Sequence, residues 1–79
     1  MSPGIGLMKR RLEKEKDALA LAKAGIVKKF QINPDEIKVL ETKYDDDAGD
    51  WYVALGWEEK RAILKMDSVQ GTITEIKEI

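Results

Sequence analysis

The dipeptide Asn33-Pro34 separates two parts of the chain with different hydrophobic periodicities. From Met8 to Phe30 the sequence is rich in Ala, Leu, Lys and Glu and contains no proline, which favours a helix. Proline disfavours helical geometry at the residue before it, so the helix is expected to end before Pro34. At about 100° per residue, one sector of this helix collects the apolar side chains that predict its buried stripe: Leu12, Leu19, Ala22, Ile26 and Phe30.

Asp17 gives an alternative start for the compact part of this helix. It directly precedes Ala18 and is a residue type that caps helix N-termini, in which case the compact helix begins near residue 18. Residues 1 to 16 then form a flexible or helical charged extension, and residues 17 to 79 form one domain. Gly25 is expected to weaken the helix interior slightly.

Beyond the proline, apolar and polar residues alternate as they do in strands. A first strand is expected from Ile37 to Tyr44, with an irregularity near residues 39 to 41. The alternation is cleanest from Trp51 to Trp57, and further strands are expected at 61 to 66 and 72 to 79. Short loops imply antiparallel neighbours. The sequence therefore predicts an α+β fold in which one N-terminal helix packs on an antiparallel sheet of three to four strands.

The 79 residues include no cysteine and no histidine. Disulfides, thiolate sites, zinc sites and Ser-His or Cys-His nucleophiles are therefore not expected. The prediction is a protein that is not an enzyme and has no catalytic residues, no cofactor and no metal. No apolar run reaches the length of about 18 residues that a membrane span needs, and the opening MSPGIGLMKRR does not resemble a signal peptide. A soluble, cytoplasmic protein is expected, and the high lysine and glutamate content is typical of heat-adapted proteins.

Charge is divided unevenly along the chain. Residues 1 to 30 carry eight basic and three acidic groups, a net of +5, whereas residues 31 to 79 carry six and twelve, a net of -6. Such a division suggests binding to nucleic acid or an acidic surface, or self-association. A basic half that neutralises an acidic half within one fold accounts for the same charge distribution.

The stretch YDDDAGDWYV, residues 44 to 53, places four carboxylates within six positions. A calcium loop of EF-hand type that starts at Asp45 needs an oxygen ligand at its fifth position and an acid at its twelfth. Gly49 and Gly56 stand there instead. Asp and Gly are the residues that tight turns use, so the stretch is interpreted as a solvated hairpin turn.

Aromatic and basic residues suggest two other surfaces. Trp51 and Trp57 share the parity of Val53, which predicts that they pack under the helix, whereas Tyr52 has the opposite parity and is expected to be reachable from outside. The alternative is an aromatic platform of the kind that stacks single-stranded nucleic acid. It would consist of Trp51, Tyr52 and Trp57, with Lys43, Lys60, Arg61 and Lys65 on neighbouring strands. The candidate phosphate-binding residues lie at the start of the helix and are Lys9, Arg10, Arg11 and Lys14.

Residues 17 to 79 resemble the PepSY domain. The shared pattern is an Ala-rich helix, the turn Ile32-Asn33-Pro34-Asp35-Glu36, an acidic Gly-containing turn before a tryptophan strand, and a strand that ends in Asp67 before the Gly71 turn. The resemblance implies a small helix-plus-antiparallel-sheet module that regulates or inhibits peptidases or binds other proteins. It supplies no catalytic residues.

The favoured function is a small, non-catalytic protein-binding or regulatory module that acts through a sheet edge or the sheet face away from the helix. A thin core and an apolar second sheet face motivate this hypothesis, which includes a homodimer. The candidate partner-binding residues are Tyr52 and Ile63 on the sheet and Leu21 on the outward face of the helix. The alternative is a nucleic-acid-binding accessory protein that uses the basic N-terminal helix.

Overall fold

A computed structural model describes residues 11–79 of the chain. One α-helix, α1 (Glu15–Phe30), is followed by a 3-10 turn (Pro34–Glu36) and a four-stranded antiparallel sheet in sequential order. The strands are β1 (Lys38–Asp45), β2 (Asp50–Trp57), β3 (Lys60–Asp67) and β4 (Thr72–Glu78). The predicted α+β class, with one helix packed on an antiparallel sheet, is confirmed, and the sheet has the larger of the two expected strand numbers.

The helix begins later than the composition predicts. Residues 11 to 14 are not helical, and the N-cap is Lys14, which makes no side-chain capping bond. The hypothesis that Asp17 is the N-cap is therefore wrong, because Asp17 already lies in the first helical turn. Its negative charge there interacts favourably with the positive end of the helix dipole. The predicted helical residues Met8 to Arg10 lie outside the described part of the chain.

The helix ends as the proline predicts. Gln31 adopts a left-handed conformation with φ of 55°, and its N–H donates to the Val27 carbonyl at 2.8 Å. This arrangement satisfies one of the last free carbonyls of the helix. Asn33 then caps the 3-10 turn by accepting a hydrogen bond from the Asp35 N–H at 2.9 Å.

The core lies between α1 and one face of the sheet. Ala22 and Ile26 are fully buried as predicted, and Leu19 and Phe30 are partly buried against the same cluster. Leu12 is also buried, but it lies in the non-helical segment before α1. The sheet contributes alternate residues of its two central strands: Trp51, Val53, Leu55, Trp57, Ala62, Leu64 and Met66.

Gly25 allows close packing of α1 against β4, which its low helix propensity alone does not predict. A Cβ at this position would clash with Cδ1 of Ile73 on β4. The missing side chain lets the helix approach the edge strand closely, which offsets the propensity cost of glycine within a helix.

Both edge strands are irregular. The pairing of β1 with β2 shifts between Val39 and Glu41, which confirms the irregularity predicted near residues 39 to 41, and the pairing of β3 with β4 shifts beside Lys65 and Met66. Bulges twist an edge and interrupt its row of backbone donors and acceptors, so both edges are poor templates for an added strand.

Candidate interaction surface

The sheet face away from α1 carries two neighbouring rows of side chains that run across all four strands. The strand register aligns the first row on Tyr52 and the second on Ala54. We call these eight residues the open face: Lys43, Tyr52, Lys65 and Glu75 in the first row, and Glu41, Ala54, Ile63 and Lys77 in the second.

The centre of the open face is apolar. Tyr52, Ala54 and Ile63 lie on the two central strands, and Ile63 is 37% exposed. A depression of about 190 Å³ lies on the β1 side of these residues, and another of about 300 Å³ lies on the β4 side. Tyr52 and Ile63 line both depressions, so they form a ridge between two shallow grooves.

Leu40 extends the apolar surface toward one end of the sheet. It is the extra residue of the β1 bulge, is 50% exposed, and lies over Gly56, where an added Cβ would be 3.2 Å from its Cδ1. The bulge moves Leu40 to the outer side because it reverses the alternation of the strand. Sequence parity alone does not assign it to this face.

Charged side chains surround the apolar centre. Lys65 Nζ lies 3.8 Å from Asp50 Oδ2, and the two side chains are 38% and 15% exposed. It is a long ion pair between two partly buried residues. Its effect on the surface is to neutralise the lysine that stands next to Tyr52.

The acidic stretch is the first of two turns built alike. Asp45 Oδ1 accepts hydrogen bonds from the N–H groups of Asp47 at 3.0 Å and Ala48 at 3.3 Å, and the Gly49 N–H donates to the Asp45 carbonyl at 2.8 Å. Gly49 has a φ of 73°, which disfavours any other residue type. This geometry supports the interpretation of the stretch as a hairpin turn.

The turn between β3 and β4 repeats this arrangement. Asp67 Oδ1 accepts hydrogen bonds from Val69 at 2.9 Å and Gln70 at 3.1 Å, and the Gly71 N–H donates to the Asp67 carbonyl at 2.8 Å. The two turns share an Asp-x-x-x-Gly pattern, which is visible in the sequence as DDDAG and DSVQG. In the described residues, 11–79, no group of three or more acidic side chains is arranged to hold a metal ion.

Ser68 joins the two turns to each other and to the N-terminal segment. It is fully buried, its hydroxyl donates to the Gly49 carbonyl at 2.6 Å, and its own carbonyl accepts from the N–H groups of Arg11 and Leu12. Trp51 Nε1 donates to the Leu12 carbonyl at 2.8 Å. Residues 11 and 12 are therefore fixed on the end of the sheet, and the sequence offered no signal for Ser68 beyond its place in a turn.

The predicted site residues fall into three groups. Tyr52 and Ile63 lie together on the open face. Leu21 is elsewhere: it is half-buried and packs against the core, so its predicted place on the outward face of the helix is wrong. The projection centred the buried stripe on Leu19, Ala22, Ile26 and Phe30, whereas the buried residues of the helix are Ala18, Ala22 and Ile26, and this stripe lies nearer to Leu21.

The basic candidates are not brought to the open face. Arg11 and Lys14 are exposed, and Arg11 lies against Gly71 at the end of the sheet where the two Asp-containing turns are. Lys9 and Arg10 lie outside the described residues. The two described basic residues therefore do not share a surface with Tyr52 and Ile63.

Comparisons of the chain with protein-family models, curated proteins and solved structures give no match. The resemblance to the PepSY domain stays a prediction from the sequence. Across residues 11–79, no helix combines the length and apolar character that crossing a bilayer requires.

Proposed function

We propose that this protein is a small, non-catalytic protein-binding module of regulatory type and that its open face is the binding surface. The single observation that carries the proposal is the apolar ridge of Tyr52 and Ile63 between two grooves on a sheet face that α1 does not cover. An apolar centre with a charged rim is the usual anatomy of a protein interface. The PepSY resemblance points to the same class of function, including regulation of a peptidase.

The face is a better candidate than the edges. Both edge strands carry bulges. Each also carries charged side chains of both signs, such as Lys43 on β1 and Lys77 on β4. Edges of this kind resist the addition of a strand. The binding mode that the surface favours is packing of side chains on the sheet face.

Capture experiments with matched variants test the proposal. The immobilised protein is incubated with native lysate and compared with Ile63→Glu, which adds a carboxylate to the ridge, and with Ala24→Glu, which adds one to an exposed position of α1. We expect Ile63→Glu to lose the bound protein and Ala24→Glu to keep it. Equal capture by both variants contradicts the proposal.

A second candidate function is binding of single-stranded nucleic acid. The observation in its favour is that Tyr52 stands between Lys43 and Lys65 in one row, an aromatic ring with a cation on each side. The same face also carries three carboxylates that repel phosphate groups, those of Glu41, Glu75 and Asp50. A titration with single-stranded oligonucleotide at low salt, with Lys43→Ala as the variant, decides between the two functions: salt-dependent binding that weakens in the variant supports this one.

A further inference from the structure

The charges of the open face are arranged so that a two-fold rotation places each charge of the edge strands over a charge of opposite sign. On β1, Glu41 lies in the Ala54 row and Lys43 in the Tyr52 row. On β4, Lys77 lies in the Ala54 row and Glu75 in the Tyr52 row. In each edge strand, therefore, a charge in one row is followed by the opposite charge in the other. A two-fold axis midway between the rows exchanges the two rows.

The rows beyond the open face continue this relationship. Next to the Tyr52 row, the register aligns Asp45, Asp50 and Asp67, so this end of the face is acidic. Next to the Ala54 row, it aligns Lys38, Gly56 and Arg61, so the charges in this row are basic, although Leu40 lies over Gly56 and Glu36, Glu58 and Glu59 are close by. The same axis places the acidic row of one copy over the basic row of another.

We propose that the partner of the open face is a second copy of this chain, packed face to face about a two-fold axis that lies between the rows and perpendicular to the strands. This inference rests on the proposed function and names its partner. In the dimer Glu41 faces Lys43 of the second copy, and Glu75 faces Lys77 of the second copy. At the ends Asp67 faces Arg61, and Asp45 faces Lys38.

The central strands fit the same arrangement. Tyr52 packs on Ala54 of the second copy, so a large side chain meets a small one. Lys65 lies over Ile63 of the second copy, where its aliphatic stem covers the apolar side chain. Its charge does not need an intermolecular partner, because Asp50 Oδ2 of the same chain is 3.8 Å from Nζ.

A two-fold axis parallel to the strands fits less well. It also pairs Lys43 with Glu75 and Glu41 with Lys77, but it places Asp50 opposite Asp67 of the second copy, and two carboxylates repel each other. The perpendicular axis has no such contact among the aligned rows. Sheets that pack face to face with strands nearly aligned are a common arrangement in proteins.

The interface is small. Four strands of about eight residues offer a face of roughly 500 Å² per copy, which is near the lower limit for a specific interface. A reversible dimer is therefore expected, with dissociation within the range of about 1 µM to 1 mM.

Paired charge variants test the arrangement by sedimentation equilibrium over that concentration range. The acidic variant is Lys43→Glu with Lys77→Glu, and the basic variant is Glu41→Lys with Glu75→Lys. Each variant alone puts like charges opposite each other, so we expect each to be monomeric where the parent protein is dimeric. An equimolar mixture of the two restores opposite charges at every pair and is expected to form a heterodimer at least as readily as the parent.

Two controls distinguish the effect of this pairing from an effect of net charge and from the parallel axis. Lys28→Glu with Lys29→Glu changes net charge as the acidic variant does, but on exposed positions of α1, and it is expected to leave the dimer intact. Glu41→Lys with Lys43→Glu keeps opposite charges facing across the perpendicular axis and is also expected to dimerise. Loss of the dimer in the α1 control, or in this exchange variant, overturns the arrangement.

The parent protein gives the decisive outcome. If it remains monomeric up to about 1 mM, the second copy is not the partner. The proposed function then still stands or falls on the capture experiment, because a different protein retained by Ala24→Glu and lost by Ile63→Glu supports binding through the open face without self-association.

Discussion

The Ser68 hydroxyl donates a 2.6 Å hydrogen bond to the carbonyl of Gly49, and this contact joins the two Asp-x-x-x-Gly turns at one end of the sheet. Ser68 is fully buried, and its N–H also donates to Gly49 at 3.0 Å. The two hairpins therefore share one buried polar centre. Its loss is expected to affect both turns together.

Ser68→Ala is expected to lower the free energy of unfolding by about 1–2 kcal/mol, because a buried carbonyl loses one of its donors. Thr74→Ala is the matched control, since it removes a hydroxyl that donates to the Lys65 carbonyl at 3.1 Å on an exposed strand. This control is expected to change stability by less than about 0.5 kcal/mol. Urea denaturation measures both, and equal losses would show that the buried position gives Ser68 no special role.

The carboxylates of the acidic stretch are expected to differ in their contributions. Asp45→Ala removes the acceptor of two backbone N–H groups and should cost about 1 kcal/mol, whereas Asp45→Asn keeps an acceptor oxygen and should cost less. Asp46→Ala and Asp47→Ala are expected to be neutral or slightly stabilising, since they reduce repulsion between neighbouring charges. Thermal denaturation measures the order, and a larger loss at Asp46 or Asp47 contradicts the turn interpretation.

The β2–β3 turn contains a residue in an unfavourable backbone conformation. Glu58 has a φ of 53°, a region in which glycine is free of steric cost. Glu58→Gly is expected to raise the free energy of unfolding by about 0.5–1 kcal/mol, the steric gain being reduced by the greater freedom of glycine in the unfolded chain. Glu59→Gly is the control and should give no gain, so a gain of similar size at both positions would refute the role of the Glu58 backbone conformation.

Attachment of the N-terminal segment is expected to depend on Trp51. Trp51→Phe keeps the aromatic contact with Tyr44, whose ring centroid is 4.8 Å away, but removes the donor to the Leu12 carbonyl. The amides of Arg11 and Leu12 donate to Ser68, so their hydrogen exchange should accelerate in this variant relative to the core amide of Val53. Unchanged relative exchange would mean that the indole bond does not hold the segment.

Periodicity was sufficient to predict the strands and most of the core. The alternating residues from Trp51 to Trp57, and Ala22 and Ile26 in the helical stripe, are the residues that are buried. Periodicity could not predict the start of the helix, since residues 11 to 14 have helical composition but are not helical, and residues 11 and 12 are bonded to Ser68 and Trp51. Long-range contacts of this kind leave no local pattern.

The open face was predictable only in part. Parity assigns Tyr52 and Ile63 to it, but the position of Leu40 depends on where the β1 bulge falls, and the charge pattern depends on the register between strands. Leu21 was misplaced because the predicted stripe did not include Ala18, whose burial shifts the covered side of the helix toward Leu21. Which alanines of a helix become buried is decided by tertiary packing.

The central claim, that this protein binds another protein chain through the open face, is tested most directly by position-specific photo-crosslinking. A benzophenone amino acid replaces Tyr52 in one preparation and the exposed helical residue Ala24 in another, and both are irradiated in native lysate and as purified protein. We expect protein adducts from position 52. An excess of parent protein should suppress them, whereas an excess of Ile63→Glu should not. If the dimer forms, the purified sample should give adducts between two copies. Adducts from position 24 alone, or adducts from position 52 that nuclease treatment abolishes, would contradict the claim.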